Sequence, residues 1–160
     1  MNFQGDNLNV NPSVTVPLIR MIEQGDCDVA TCCMKMKPKD EQNPNLVKIC
    51  MGLREGEDEA RALYFTRAAA PYVRDPERLN ADKNFYHHIG LYVFKASALK
   101  RAVKLPLGVL EARESLEQLR WLEGGMTIRV KLIQNLKLVQ EAPADINTPE
   151  ELDMALKWIR

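Results

Sequence analysis

Three observations predict a mixed α/β fold for this chain. Stretches with helical spacing of apolar residues and stretches with strand-like alternation share one sequence without strictly alternating, which gives an α/β or α+β domain. The segments are punctuated by Gly, Pro, Asn and Asp at intervals typical of short connections. The 160 residues are 46% apolar and 28% charged, a composition that supports one globular core spanning 1–160.

Charge excludes some roles. Lys plus Arg and Asp plus Glu are 22 each, so neither a nucleic acid nor an anionic membrane is an expected partner. No apolar run has the length of a membrane span, and the first residues lack a signal-peptide pattern, giving a cytoplasmic expectation.

The opening MNFQGDN has too few residues for a useful strand, yet Gln4-Gly5-Asp6 reads as a turn that delivers a carboxylate. A helix is predicted over 12–24, stopped by Gly25, with Pro17 making its first turn irregular. Strands follow at 28–36 and 46–51, separated by the polar loop KPKDEQNPN. The charged GLREGEDEAR joins the second of these to the strand ALYFT as a hairpin with a solvated tip. A long loop through Pro71 and Pro76 reaches about Asn84, before the strand HHIGLYVFK and the short helix SALKRAVKL. GVLEARESLEQLRWLEGG is predicted as one helix with an apolar stripe of Leu110, Leu116 and Leu119, ended by Gly124. MTIRVKLI alternates as a strand. The last helix starts with Thr148 as N-cap, Pro149 and Glu151, and its stripe is Leu152, Ala155, Leu156 and Ile159.

The cysteines are Cys27, Cys32, Cys33 and Cys50. Strand alternation sends Cys32 and Cys33 to opposite faces, and no CxxC pair or suitably spaced His accompanies them. Reduced, partly buried structural thiols are expected. Tyr64, Trp121 and Trp158 read as core or interface aromatics, and His87 as pointing away from His88.

In ALYFTRAAAPYVRDP, Arg67 ends a strand and Arg74 follows across a proline. Two guanidiniums there either clamp a carboxylate or phosphate, or are ordinary surface arginines. His88 alone is equally a satisfied core histidine, and Glu117-Gln118 the solvated face of a helix.

Taken together, the motifs resemble the 3-deoxy-manno-octulosonate (KDO) cytidylyltransferases, the CMP-KDO synthetases of lipopolysaccharide synthesis. FQGDN is similar to that family's QGDEP turn, and NPNLVKI with ALYFTRAAAPYVRD resembles its NPN-x-VK hairpin and arginine loop. NFYHHIGLYVF, LEARESLEQLRWLEGG and INTPEEL resemble its following strand, helix and VDTPEDL helix start, in family order. The resemblance implies a Rossmann-like nucleotidyltransferase sheet with a mixed-sheet portion used for dimerisation. It implies transfer of CMP from CTP to KDO with loss of pyrophosphate, assisted by Mg²⁺. It further implies that Gln4, Arg67, Arg74, His88, Tyr92, Glu117 and Gln118 line the sugar-acid pocket, with Asp6 as a metal ligand.

The departures matter as much. Asn147 stands where the family has its second metal aspartate, and an amide oxygen without charge weakens Mg²⁺ binding; Asp145, two residues earlier, is a poor substitute. Asn7-Leu8 replaces Glu-Pro in the turn. The strands and the CTP-binding loop that precede QGD in the family have no counterpart, so the sheet is expected to be incomplete, with an unpaired edge and an uncovered apolar face. On this reading the chain is inactive alone, binds CTP only when the other half is supplied, and forms a homodimer. A non-catalytic remnant that binds a sugar acid or a partner protein is the alternative, and a relative acting on another α-keto sugar acid stays open.

Overall fold

The computed structural model describes residues 2–3, 12–75, 85–134, 149–150 and 153. Its elements in chain order are β1 (Asn2–Phe3), α1 (Pro12–Gln24), β2 (Val29–Lys35), β3 (Lys48–Met51), β4 (Glu59–Thr66), β5 (Tyr86–Phe94), α2 (Ala96–Ala102), α3 (Val109–Glu114), α4 (Glu117–Glu123) and β6 (Ile128–Leu132). The predicted final helix lies outside the described residues except at 149–150 and 153.

Amphipathic spacing explains α1. Val14, Leu18 and Met21 recur on one face and are buried, each removal from water being worth about 1.5–3 kcal/mol. Pro17 removes one helical N–H, yet the helix continues through it because its neighbours are anchored in the core. Gly25 ends it with φ +90°, a left-handed conformation that costs glycine nothing, and its N–H reaches the carbonyl of Ile22 at 3.2 Å.

The strands run in the order β1-β5-β2-β6-β4-β3, and β3 also pairs with β5, so the sheet curls into a ring. The β3–β4 hairpin forms as expected. The parallel component of a Rossmann-like sheet is confined, among the described pairs, to β2–β6; the other pairings are antiparallel. One side of β5 is shared, β1 pairing at Leu91 and Tyr92 and β3 at His87.

Alternation divides the core as Cys32 and Cys33 foretell. Cys32 joins Ala30, Ile89, Leu91 and Val93 beneath α1, while Cys33 joins Val29, Phe65, Tyr92, Ile128 and Val130 on the other side. That second cluster is closed by Ala98 and Ala102 of α2 and by Leu119 and Trp121 of α4. The expected uncovered apolar sheet face is therefore not met among the described residues, because helices lie over both clusters. All four thiols are free, and burial pushes that of Cys32 up to about 12.

A correction concerns the helix expected over 108–125. It is two helices, α3 and α4, broken at Ser115 (φ 53°, ψ 47°). The Ser115 N–H closes α3 onto the Glu111 carbonyl at 2.8 Å, and the left-handed residue turns the chain so that Leu116 and Leu119 both enter the core.

Candidate functional site

Register places His88 and Tyr92 on the same face of β5, where their rings lie 5.4 Å apart. Tyr92 meets Trp121 edge-on at 4.9 Å, and Phe65 meets His88 in the same manner at 4.9 Å. Trp121 thus carries α4 onto β5. Between Thr31 and Cys32 the β2–β5 register shifts, and the Thr31 hydroxyl fills the irregularity. It donates to the Leu91 carbonyl at 2.8 Å and lies 2.9 Å from Nε2 of His88. With its one hydrogen given to Leu91, the hydroxyl accepts from Nε2–H, which leaves Nδ1 as the acceptor nitrogen of a neutral ring. Burial and then neighbouring His87 push the His88 pKa down to about 3. His87 is also buried; burial and then Lys48 push its pKa down to about 4.

Arg67 stands at the end of β4 and is engaged on every side. Its main-chain N–H donates to Oε2 of Glu114 at 2.9 Å, while the Thr66 hydroxyl donates to Oε1 at 2.7 Å. Its side chain donates from Nε to the Glu114 carbonyl at 2.8 Å, and from the two terminal nitrogens to the carbonyls of Pro44 at 3.0 Å and Ser115 at 3.4 Å. Of five guanidinium N–H groups, two are left over for other acceptors. Since Glu114 and Ser115 lead directly into α4, Arg67 joins the mouth of β4 to the helix start that carries Glu117 and Gln118. Glu117 is exposed and Gln118 is buried.

The structure therefore ties Arg67 to the Glu114–Ser115 turn that precedes Glu117 and Gln118, and stacks His88 beside Tyr92, which in turn meets Trp121. Arg74 is exposed at the far end of the loop from Arg67. Gln4, Asp6, Asp145 and Asn147 lie outside the described residues. Among the described residues no group of three or more His, Cys, Asp or Glu side chains is placed to hold a metal.

Three contributors were missed by sequence reasoning. Thr31 has no local signal, Glu114 reads as a helix-surface acid, and Lys48 looks like an ordinary strand lysine although NPN-x-VK contains it. A cavity of about 560 Å³ lies elsewhere, at the turn of the β3–β4 hairpin, against Leu53, Arg54, Tyr86, Leu132 and Ile133; none of the described sugar-pocket candidates lines it.

The cytidylyltransferase family pattern matches residues 1–128. The chain belongs to the cytidylyltransferase family. Within that family its relatives are CMP-KDO synthetases. The 3-deoxy-manno-octulosonate cytidylyltransferase of Paramagnetospirillum magneticum is 40% identical over 153 residues, 95% of this chain and 59% of that protein. Its counterpart in Brucella anthropi is 42% identical over 148 residues, 92% of this chain and 56% of that protein. The solved CMP:2-keto-3-deoxy-manno-octonic acid synthetase complexed with CTP superposes with TM-score 0.79 at 29% identity, over 98% of this chain and 60% of that one. This cytidylyltransferase chain thus spans somewhat under two thirds of the length of the relatives it matches. No helix among its described residues is long and apolar enough to cross a membrane.

Proposed function

We propose that this chain provides the sugar-acid side of a CMP-KDO synthetase, which transfers CMP from CTP to KDO and releases pyrophosphate. The observation that carries the reading is the continuous similarity to such enzymes over almost the whole chain. In this account the Arg67 guanidinium, with its two uncommitted N–H groups, and the exposed Arg74 hold the anionic groups of the ligands. Glu117 and Gln118 pair with sugar hydroxyls, each of which needs a partner on leaving water. His88, neutral at physiological pH, and Tyr92 shape the floor, and Gln4 completes the set.

In this account the nucleotide side is carried by the length of the relatives that this chain does not span. The family's Mg²⁺, which neutralises the triphosphate, falls to Asp6, and its hold is weakened by the amide at Asn147. A cytoplasmic homodimer is the expected assembly.

Calorimetric titration of the chain with KDO, and separately with CTP and Mg²⁺, tests the proposal. Binding of KDO alone, with CMP-KDO formed once the remaining segment of a relative is added, is the expected outcome. KDO binding without CMP-KDO formation under any complementation would instead favour the sugar-acid-binding remnant, for which Asn147 already speaks. Sedimentation of the same sample at a single protomer mass would remove the dimer from the account.

A further inference from the structure

Lys48 is fully buried, which is rare for a lysine unless every donor is used. Its ammonium donates to the carbonyls of Asn43 at 2.6 Å, Leu46 at 2.9 Å and Arg67 at 2.7 Å. Three hydrogens meet three carbonyls, so nothing remains to touch a ligand. The residue gripped by Lys48 is itself a cation whose side chain holds the carbonyls of Pro44, Glu114 and Ser115. Two adjacent cations therefore gather main-chain oxygens from three separate segments, the 43–46 loop, the end of β4 and the α3–α4 junction.

We propose that Lys48 is a positioning residue for the sugar-acid site: by fixing the Arg67 main chain to the 43–46 loop, it aims the Arg67 guanidinium at the α3–α4 junction and so sets Glu117 and Gln118. The inference rests on the site proposed above and adds to it a residue that contacts no ligand.

The electrostatics agree with this arrangement. Burial and then the Arg67 charge push the Lys48 pKa below its ordinary value, and the Glu114 carboxylate partly offsets them. Placing like charges side by side in a buried position is unfavourable, and the three carbonyl acceptors compensate for it. An apolar replacement of the same length would fill the space, take that donor from the Leu46 and Arg67 carbonyls, and leave the Asn43 carbonyl with the Leu46 N–H at 3.3 Å. Once deprotonated, a neutral amine has two hydrogens for three carbonyls, so raising the pH loosens the same grip without any mutation. The ionisable groups facing Lys48 are Arg67, Glu114 and, across the β3–β5 pair, His87. His87 titrates near 4, far from the lysine range.

The test uses the whole chain, labelled with ¹³C and ¹⁵N. In the unsubstituted protein, the Lys48 Nζ resonance is followed to high pH together with the Arg67 side-chain Cζ and the Gln118 backbone amide. The expected result is that Arg67 and Gln118 shift at the Lys48 midpoint, which lies below the ordinary lysine value, while the far-UV circular dichroism is unchanged. In Lys48→Met both resonances are expected at their high-pH positions already at neutral pH, with KDO affinity lowered roughly tenfold, as loss of a charge-assisted hydrogen bond implies. Arg67 and Gln118 signals that ignore the Lys48 titration would overturn the inference, whether or not the variant folds. Failure of the unsubstituted chain to bind KDO would sink the function proposed above, while the resonance shifts would still judge Lys48.

Discussion

The two histidines of β5 show how a single side chain becomes a stability device. Both are buried, and both have pKa values pushed down from 6.5, to about 4 for His87 and about 3 for His88. Below pH 6.5 the unfolded chain therefore binds protons that the folded chain refuses, and stability falls with pH until the folded values are reached. Above 6.5 the contribution is complete. Between pH 7 and pH 5 each histidine is expected to remove on the order of 2 kcal/mol. Urea unfolding at the two pH values checks this; His88→Gln should flatten the slope, and a slope unchanged by that substitution would show that other groups carry it. From sequence, His88 reads as either core or pocket. What resolves its surroundings is Thr31, a residue 57 positions away whose hydroxyl no local pattern marks.

At the level of elements, legibility follows the range of the forces involved. Helix α1 is predicted to its last residue because its buried stripe and its terminal glycine are local. The hairpin is legible for the same reason. The break at Ser115 is not, since LEARESLEQLRWLE keeps a helical apolar spacing throughout; the turn is held from outside by Arg67, at the end of β4, whose side chain donates to the Glu114 and Ser115 carbonyls. The start of α3 is likewise completed at a distance. The Glu123 carboxylate of α4 accepts from the main-chain N–H groups of Val109 and Leu110, both at 3.1 Å. It occupies the space beside Gly108, where an added Cβ would come within 2.0 Å of Oε2. Gly108→Ala should therefore displace this borrowed cap and cost about 1 kcal/mol, the usual value of a lost N-cap. Thermal unfolding measures it, and Glu123→Gln, which keeps an acceptor but loses the charge, should cost less.

For the whole molecule, strand identities are readable but strand neighbours are not. Central β2 pairs with β5 and β6, segments far along the chain, so its partners depend on contacts that no window of sequence contains. Helices lie over both faces because alternation sorts Cys32 from Cys33 and their neighbours into two clusters, each needing its own cover. The site inherits this non-local character: of the residues at its junction, Arg67 and Glu114 lie 47 positions apart.

The ring of strands is unevenly closed. Seven registered positions join β2 to β5, whereas β3 meets β5 at the single pair Lys48–His87, with a neighbouring bond of 2.9 Å from the His88 N–H to the Val47 carbonyl. A seam so short can part while the rest of the sheet stays zipped, making it a natural boundary between cooperative unfolding units. Amide hydrogen exchange should accordingly be faster at His88 than at Ala30 or Cys32 by a factor of ten or more, given that 1.4 kcal/mol of local opening energy is already tenfold. The barrel would then breathe along one line, and that line runs beside the buried ammonium on which the 43–46 loop is hung.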